Sequence, residues 1–587
     1  MGAFFLYKKN TAKVDVEAAR KVFSDKGFDS PYISNFGEYQ LLLYRKQLVD
    51  VANHIKIGEY ELGVIGTITY KSLGYEDTIK TLLVDYMSGS INYNDIRGNF
   101  CALFINKDDI RFLTDDLNVQ HLFTDSKENF ITSSFLAAAS AKKGALTINR
   151  KTAIEKLILG YTIGNETIFK EIVHLANSYK KDSSWNFLTP LKKSIPASDG
   201  KNKKVNAQKR SEKICEYLRE FTKLADEYPP EIGLSDGFDS RTLYAATMKA
   251  WNKPIAVHTH CTENVHSHDE ERRTVEKITK AIGSNLTVVP TRLLNGYTEN
   301  EINTILRDGL FFFDGRCARD MGAFSPVYTR SYKKQVTKEN RLTLNGLGGE
   351  VYRRYYLELK PLFDAKNWMK VHVYPEDIDR IISKPLFKSI HSDLVCKIEK
   401  ELGIKWSGRV SNFDARRYYS EIVMPDCDAL NCNAHNQISF YLTPFIEWDM
   451  IQDAYKSRDA LGVCGELEAA IMNYLNPTIA GFPSHYGFAF TDRPKFTYKI
   501  KRIIRGLIPN SIETKRIALF ARKNIGQLDY FNSVISKSDY LRKATEYEEQ
   551  LFPEIDFQVL RHDYTMMPNS TYMSLVFYEF RDRIVEN

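Results

Sequence analysis

The stretch Glu231-Ile-Gly-Leu-Ser-Asp-Gly-Phe-Asp-Ser240, followed by Arg241-Thr-Leu-Tyr-Ala-Ala246, constrains this chain more than any other. Ile232 to Leu234 is a short apolar run of the kind that forms a buried strand. Ser235, Asp236 and Gly237 end it with turn chemistry. From Ser240 onward, Leu243, Ala246 and Ala250 recur at helical spacing. A strand, a tight polar turn and a helix N-terminus in that order make an anion cradle, because backbone N–H groups and the positive end of the helix dipole converge there. Gly237 lets the backbone approach a phosphate, Ser235 and Ser240 offer hydroxyls, and Asp239 can hold a divalent cation. The spacing is not that of a Gly-x-x-x-x-Gly-Lys-Ser/Thr phosphate loop.

The flanking pattern predicts a parallel sheet. Pro254 to Thr259 reads as a second strand, Glu271 to Ile282 as a helix and Leu286 to Pro290 as a third strand. Strand–helix alternation at this spacing is the doubly wound α/β pattern, which binds nucleotides at the carboxyl edge of its strands. Downstream, Arg341-Leu-Thr-Leu-Asn-Gly-Leu-Gly-Gly-Glu350 repeats the theme: a short strand, Leu342 to Leu344, runs into glycines at 346, 348 and 349 before an acid. Glycines so placed let backbone amides wrap a phosphate.

Residues 1–195 read differently. Leu41 to Tyr44, Leu62 to Tyr70, Phe100 to Ile105, Ile110 to Leu113 and Phe130 to Ser134 are strand-like, with helices over Val16 to Phe23 and Tyr75 to Ser88. This predicts an α+β sandwich. Lys192 to Lys204, rich in Lys, Ser, Pro and Gly, reads as a linker. Residues 490–587 are helical by periodicity. Ile500, Ile503, Ile504 and Leu507 line one face and Tyr572, Leu575 and Tyr578 another, both read as packing surfaces.

The two loops resemble those of the asparagine synthetase-like family, whose relatives include β-lactam synthetases and lasso-peptide cyclases. The first is similar to its Ser-Gly-Gly-x-Asp-Ser pyrophosphate loop, with Asp236 at the first glycine. The second is similar to its Ser-Gly-x-Gly-x-Asp-Glu loop, with Asn345 for the serine and Glu350 for the aspartate. Ile96-Arg-Gly-Asn-Phe-Cys-Ala-Leu-Phe-Ile105, Leu113-Thr-Asp-Asp-Leu-Asn118 and Ile131-Thr-Ser-Ser-Phe-Leu136 resemble segments of the glutaminase domain that precedes the ATP domain. The resemblance implies an N-terminal Ntn-hydrolase-like sandwich (1–195), an ATP-pyrophosphatase synthetase domain (205–510) and a helical C-terminal extension (511–587).

It further implies ATP held by Leu234, Ser235, Asp236, Gly237, Phe238, Asp239, Ser240, Val257, Asn345, Gly346, Gly348 and Gly349, with Mg2+ shared by Asp239 and Glu350. A carboxylate would be adenylated and passed to ammonia or an amine. The family's glutaminase cysteine is the exposed N-terminal residue, whereas here Met1-Gly2-Ala3 opens the chain and the first cysteine, Cys101, falls inside a strand. That domain is therefore expected to be inactive. Ser439-Phe-Tyr-Leu-Thr-Pro-Phe-Ile-Glu447 resembles an Arg-x-Pro-Phe-Leu-Asp segment, with Leu442 in place of the arginine. Arg493-Pro-Lys495 is the nearest match to the family's Arg-x-Lys, so Lys495, or else Arg316 or Lys499, would neutralise charge during adenylation.

Composition narrows the alternatives. Lys+Arg 81 against Asp+Glu 74 gives only +7, and the basic runs Lys201 to Lys213 and Lys499 to Arg505 read as a linker and a helix surface. This disfavours a nucleic-acid partner and an RNA-modifying ATP pyrophosphatase. Eight cysteines without a C-x-x-C pair point to reduced thiols and a cytoplasmic protein. No apolar run approaches the roughly 18 residues of a membrane span. The expected partners are a small-molecule or peptide carboxylate and ammonia or an amine, with a homodimer left open. A degenerate nucleotide-binding paralogue is the non-catalytic alternative. His258, His260, Cys261, His266, His268 and Asp269 crowd one loop without a recognised metal spacing, and Ser267-x-x-Glu270 reads as a capping box.

Overall fold

The computed structural model describes residues 2–107, 109–188, 194–263, 265–316, 322–356, 359–375, 377–508, 525–563 and 566–585. Its architecture is α/β, with antiparallel sheets in the N-terminal third and a parallel sheet in the middle.

The strand Ala3–Lys8 shows how the first third is layered. Its side chains alternate, and both sides are apolar: Phe4 and Leu6 enter one core cluster, while Ala3, Phe5 and Tyr7 enter another. A strand buried on both faces needs a layer on each side. One is a second sheet, whose Ile65, Cys101, Leu103 and Phe112 share the cluster with Phe4 and Leu6. The other is helical, from Val16–Asp25 and Phe135–Ala141. The six-stranded sheet is antiparallel throughout, with Ala3–Lys8 between Tyr39–Tyr44 and Phe130–Thr132. The five-stranded sheet centres on Tyr60–Tyr70 and Ile96–Asn106 and is antiparallel except where Asn186–Phe187 joins it. Helix Tyr75–Met87 covers its outer face. Cys101 is fully buried between the sheets, and burial pushes its thiol well up.

The central sheet is parallel at every pairing, in the order Leu286–Thr291, Ala256–Thr262, Pro230–Gly233, Leu342–Leu344, Phe440–Leu442. Its order reverses between Pro230–Gly233 and Leu342–Leu344, and at such a reversal the loops leaving two adjacent strands diverge and open a crevice. Helices Lys203–Glu220, Phe238–Trp251 and Glu466–Leu475 pack together beside it. The capping box at Ser267 does not form. Helix His266–Ile282 starts before that serine, with Val265 at its N-cap and no side-chain cap.

The C-terminal helices close back onto the first third. Helix Met566–Glu579, buried nearly all round, packs on Arg150–Leu159, Asn569 donates to the Leu157 carbonyl at 3.0 Å, and Ile584–Val585 pairs with Leu146–Thr147. Helix Phe496–Leu507 departs from the sequence expectation: no residue of it is buried, and Phe496 is 77% exposed. The expected boundaries near 510 and 511 lie outside the described residues. No helix among the described residues is long and apolar enough to cross a membrane.

Asp314 ties the layers together. Its carboxylate accepts from Lys26 Nζ at 3.0 Å, Ser134 Oγ at 2.5 Å and the N–H groups of Phe135 and Leu136 at the start of their helix. Burial alone would push this carboxyl up, but Lys26 and Ser134 hold it below its ordinary range. Removing it leaves a buried ammonium unpaired, so Asp314→Ala should cost about 3–5 kcal/mol. Because the folded carboxyl is depressed, that stabilisation is present above the unfolded carboxylate's range and lost on acidification. Calorimetric scans of both proteins at neutral and acidic pH should therefore converge as the pH falls.

Candidate functional site

The loop after Pro230–Gly233 is held by its own serines. Ser235 Oγ and Ser240 Oγ lie 2.7 Å apart, the Ser235 N–H donates to Ser240 Oγ at 3.0 Å, and the Gly237 N–H donates to Ser235 Oγ at 3.2 Å. Gly237 is the N-cap of helix Phe238–Trp251 and provides no side-chain cap. The first turn of this 14-residue helix thus has no capping side chain, and Asp239 and Ser240 of that turn line a cavity. Asp236 faces His485 Nδ1 at 2.8 Å, which accounts for an acid where the resembled loop has glycine. The segment bearing His485 is anchored by Arg241, which donates to the carbonyls of Phe482 and Pro483.

The second loop folds over the first. Asn345 Oδ1 accepts from the Leu347 N–H at 2.8 Å, a local turn that a serine would make less firmly. Gly346 lies so close to the first loop that a Cβ there would sit 2.7 Å from the Asp239 carbonyl carbon and 2.8 Å from Ser240 N. A Cβ on Gly349 would strike the Asp239 carboxylate. Gly348 has φ +92°, and a Cβ there would strike Met424, Ile446 and the Phe445 backbone. Gly346 and Gly349 bring the two loops together, whereas the sequence reading assigned all three glycines to wrapping a phosphate.

Asp239 and Glu350 do meet, but around a guanidinium. Arg353 donates to Asp239 Oδ1 and Oδ2 at 2.7 and 2.9 Å, to Glu468 Oε2 at 2.8 Å, and lies 3.3 Å from Glu350 Oε1. Tyr419, on the π-helical turn Tyr419–Asp428, donates to Glu350 Oε2 at 3.1 Å. Burial, followed by the nearby Asp239 charge, pushes the Glu350 carboxyl up to about 7 against the pull of Arg353. Burial, against the pull of Arg353 and helped by the same Asp239 charge, also pushes the Glu468 carboxyl well above its ordinary range. A magnesium ion shared by Asp239 and Glu350 does not fit this arrangement. Both Asp239 oxygens are engaged by a bidentate arginine, a strong and geometrically specific pairing. Among the described residues no group of three or more His, Cys, Asp or Glu side chains is set to hold a metal. Neither Arg353 nor Glu468 carries a motif signal. Glu350 is three residues from Arg353, but Asp239 and Glu468 are more than a hundred residues away, so no local pattern marks the cluster.

The crevice is a cavity of about 570 Å³, a size typical of small-ligand sites. Leu234, Ser235, Asp239, Ser240, Asn345, Gly346 and Glu350 line one end of it. Its floor carries His258, His260 and His435, which burial and then the Lys333 charge keep neutral, His258 down to about 3. Lys333 and Arg292 are its basic lining groups.

Asp236, Gly237, Phe238, Gly348 and Gly349 belong to the two loops but do not line the cavity, and three further expected residues are elsewhere. Val257 is buried in the sheet with its N–H donated to the Asn285 carbonyl, and the strand meets the cavity through His258, Thr259 and His260 instead. Lys495 is an exposed N-cap outside the cavity lining. Arg316 is buried in a separate void, bonded to His121 and stacked over Phe123. The sequence reading grouped His258 and His260 with a loop, whereas both lie on strand Ala256–Thr262.

No protein-family model matches the chain, and no curated protein matches it. Among solved structures it is similar to the NMN synthetase of Francisella tularensis, at 15% identity over 25% of this chain and 57% of that one, with a TM-score of 0.17. The overlap is weak and partial, and the chain spans little more than half of that enzyme's length.

Proposed function

We propose that this chain is an asparagine synthetase-like, ATP-dependent amide-forming ligase. The observation that carries the reading is the meeting of two glycine-bearing loops over an uncapped helix N-terminus where the strand order reverses. ATP is the substrate that suits such a crevice, with its phosphates toward Ser235, Gly237, Phe238 and Ser240 and its base toward the histidine floor. An acid's carboxylate oxygen attacks the α-phosphorus, the bond to the β-phosphate oxygen breaks and pyrophosphate leaves. An amine nitrogen then attacks the acyl carbon, AMP departs with the carbon–oxygen bond's electron pair, and the nitrogen loses its proton to solvent. The helix-terminal amides and serine hydroxyls stabilise the departing charge. Fixed donors of this kind are worth about 2.7–4 kcal/mol each.

The layered first third (1–195) is read as a glutaminase-like domain without its nucleophile, since Cys101 is sealed in the core. Residues 205–510 would then be the ATP domain and 511–587 its helical extension. Ammonia or an amine, not glutamine, supplies the nitrogen.

ATP–pyrophosphate exchange across a panel of carboxylic acids tests the reaction. Acid-dependent exchange is expected, with product formation supported by ammonium or an amine and not by glutamine. A second reading, nucleotide binding without turnover, is favoured by Arg353 standing between Asp239 and Glu350 and by the absence of Lys495 and Arg316 from the cavity lining. ATP binding with no exchange for any acid would select it.

A further inference from the structure

Lys333 is a cation without a counterion in the crevice. It sits on helix Arg330–Val336, partly buried, and lines the same cavity as the two loops. Among the described residues its ammonium has no hydrogen-bond or ion-pair partner, and the face of Tyr332 lies 5.9 Å away. Burial without a compensating carboxylate lowers its ammonium to about 8. A charge held this way costs stability unless something pairs with it.

The wall around Lys333 defines what that partner can be. Pro326, Val327 and Val336 line the cavity with it, and the cavity's acids, Asp239, Glu271 and Glu350, come from the two loops and helix His266–Ile282. The neighbouring imidazoles are neutral and have fixed roles. His260 Nδ1 pairs with the Tyr332 hydroxyl at 2.7 Å. His435 Nδ1 donates to the Asn431 carbonyl at 2.7 Å, leaving its Nε2 an acceptor. An unpaired ammonium, apolar lining and neutral imidazoles suit an anion on an apolar body. Of the cavity's acids, Asp239 and Glu350 are already held by Arg353, so a second, positive group finds only Glu271 uncommitted to that cluster.

We propose that Lys333 is the carboxylate-binding residue of this crevice, and that the acid it takes has an apolar body rather than being an amino-acid zwitterion. The assignment deepens the ligase reading and rests on it for the role of the bound acid. It gives the site the mobile cation that neither Lys495 nor Arg316 provides there, beside the acid to be activated.

Calorimetric titration of the full chain tests it, with α,β-methylene-ATP present and acetate, hexanoate, benzoate, phenylacetate, aspartate and phenethylamine as probes. Hexanoate, benzoate or phenylacetate should bind, and more tightly than aspartate or the amine. Lys333→Met should weaken that binding at least about tenfold, the scale of one charged hydrogen bond, and Lys333→Arg should restore most of it. Should Lys333→Met fold poorly, wild-type protein gives an independent readout. Limiting trinitrobenzenesulfonate at pH 8 should modify Lys333 faster than Lys501, and the bound acid should protect it. Acid binding that ignores Lys333→Met, tighter binding of aspartate or the amine, or no acid binding while the nucleotide analogue binds would each overturn the assignment and leave the nucleotide reading standing. Lys333-dependent acid binding by a chain that takes no nucleotide would overturn the ligase reading alone.

Discussion

Replacing Arg353 with methionine is expected to lower the thermal midpoint sharply at alkaline pH and much less at acidic pH. Arg353 is the only guanidinium described among Asp239, Glu350 and Glu468, and Glu468 is fully buried. Taking away the shared partner of a buried ionic group costs about 3–5 kcal/mol, because the charges left behind are neither hydrated nor paired. The sign of the pH effect follows from Glu350. Its folded carboxyl sits at about 7, above the unfolded range near 4.3, so the native state holds a proton that the unfolded state has already lost. Stability is therefore greatest below the unfolded value and falls as pH rises through 7. Without the guanidinium the carboxyl moves higher still and the penalty grows with pH. Scans at about pH 5 and pH 9 should show the deficit widening, and Glu468→Gln in the Arg353→Met background should recover part of it. A deficit equal at both pH values would mean that the cluster is not the source.

Much of the fold was legible because its signals are local. Leu62 to Tyr70 and Phe100 to Ile105 are β-rich apolar runs bounded by turn residues, and they fold as neighbouring antiparallel strands. The Ile232 to Ser240 stretch carries its strand, turn and helix within ten residues, and it folds that way. The site's electrostatics were not legible, since they depend on side chains brought together from far apart. Asp239 lies 114 residues before Arg353 and Glu468 115 residues after it. Asp236 finds His485 across 249 residues. Lys333 looks like any helix-surface lysine until the sheet sets its helix against the cavity. Arg493-Pro-Lys495 shows the converse: a three-residue pattern fixes no direction in space, and its lysine ends as an exposed cap.

Gly346→Ala is expected to abolish nucleotide binding while leaving the chain folded. The added Cβ would lie 2.7 Å from the Asp239 carbonyl carbon, 2.8 Å from its oxygen and 2.8 Å from Ser240 N. All three are backbone atoms, so no rotamer change relieves the contact and one loop must move. Overpacking of this kind costs about 1–3 kcal/mol, small for a chain with a core this extensive, and the fold should survive it. Binding is more sensitive than stability here. The helix-terminal amides, Ser235 and Ser240 belong to one loop, Asn345 and Gly346 to the other, and a ligand held between them needs both in register. A misplacement of roughly 1 Å can cost about a hundredfold. Gly237→Ala is the steric control for folding, because its Cβ would meet only Ser235 Oγ at 3.4 Å and His485 at 3.7 Å. Fluorescence titration with ATP, alongside thermal scans of both variants, separates the two effects. If Gly346→Ala bound ATP as tightly as the unaltered protein, the nucleotide could not be lying between these loops, and the ligand of the crevice would have to be sought at its histidine floor.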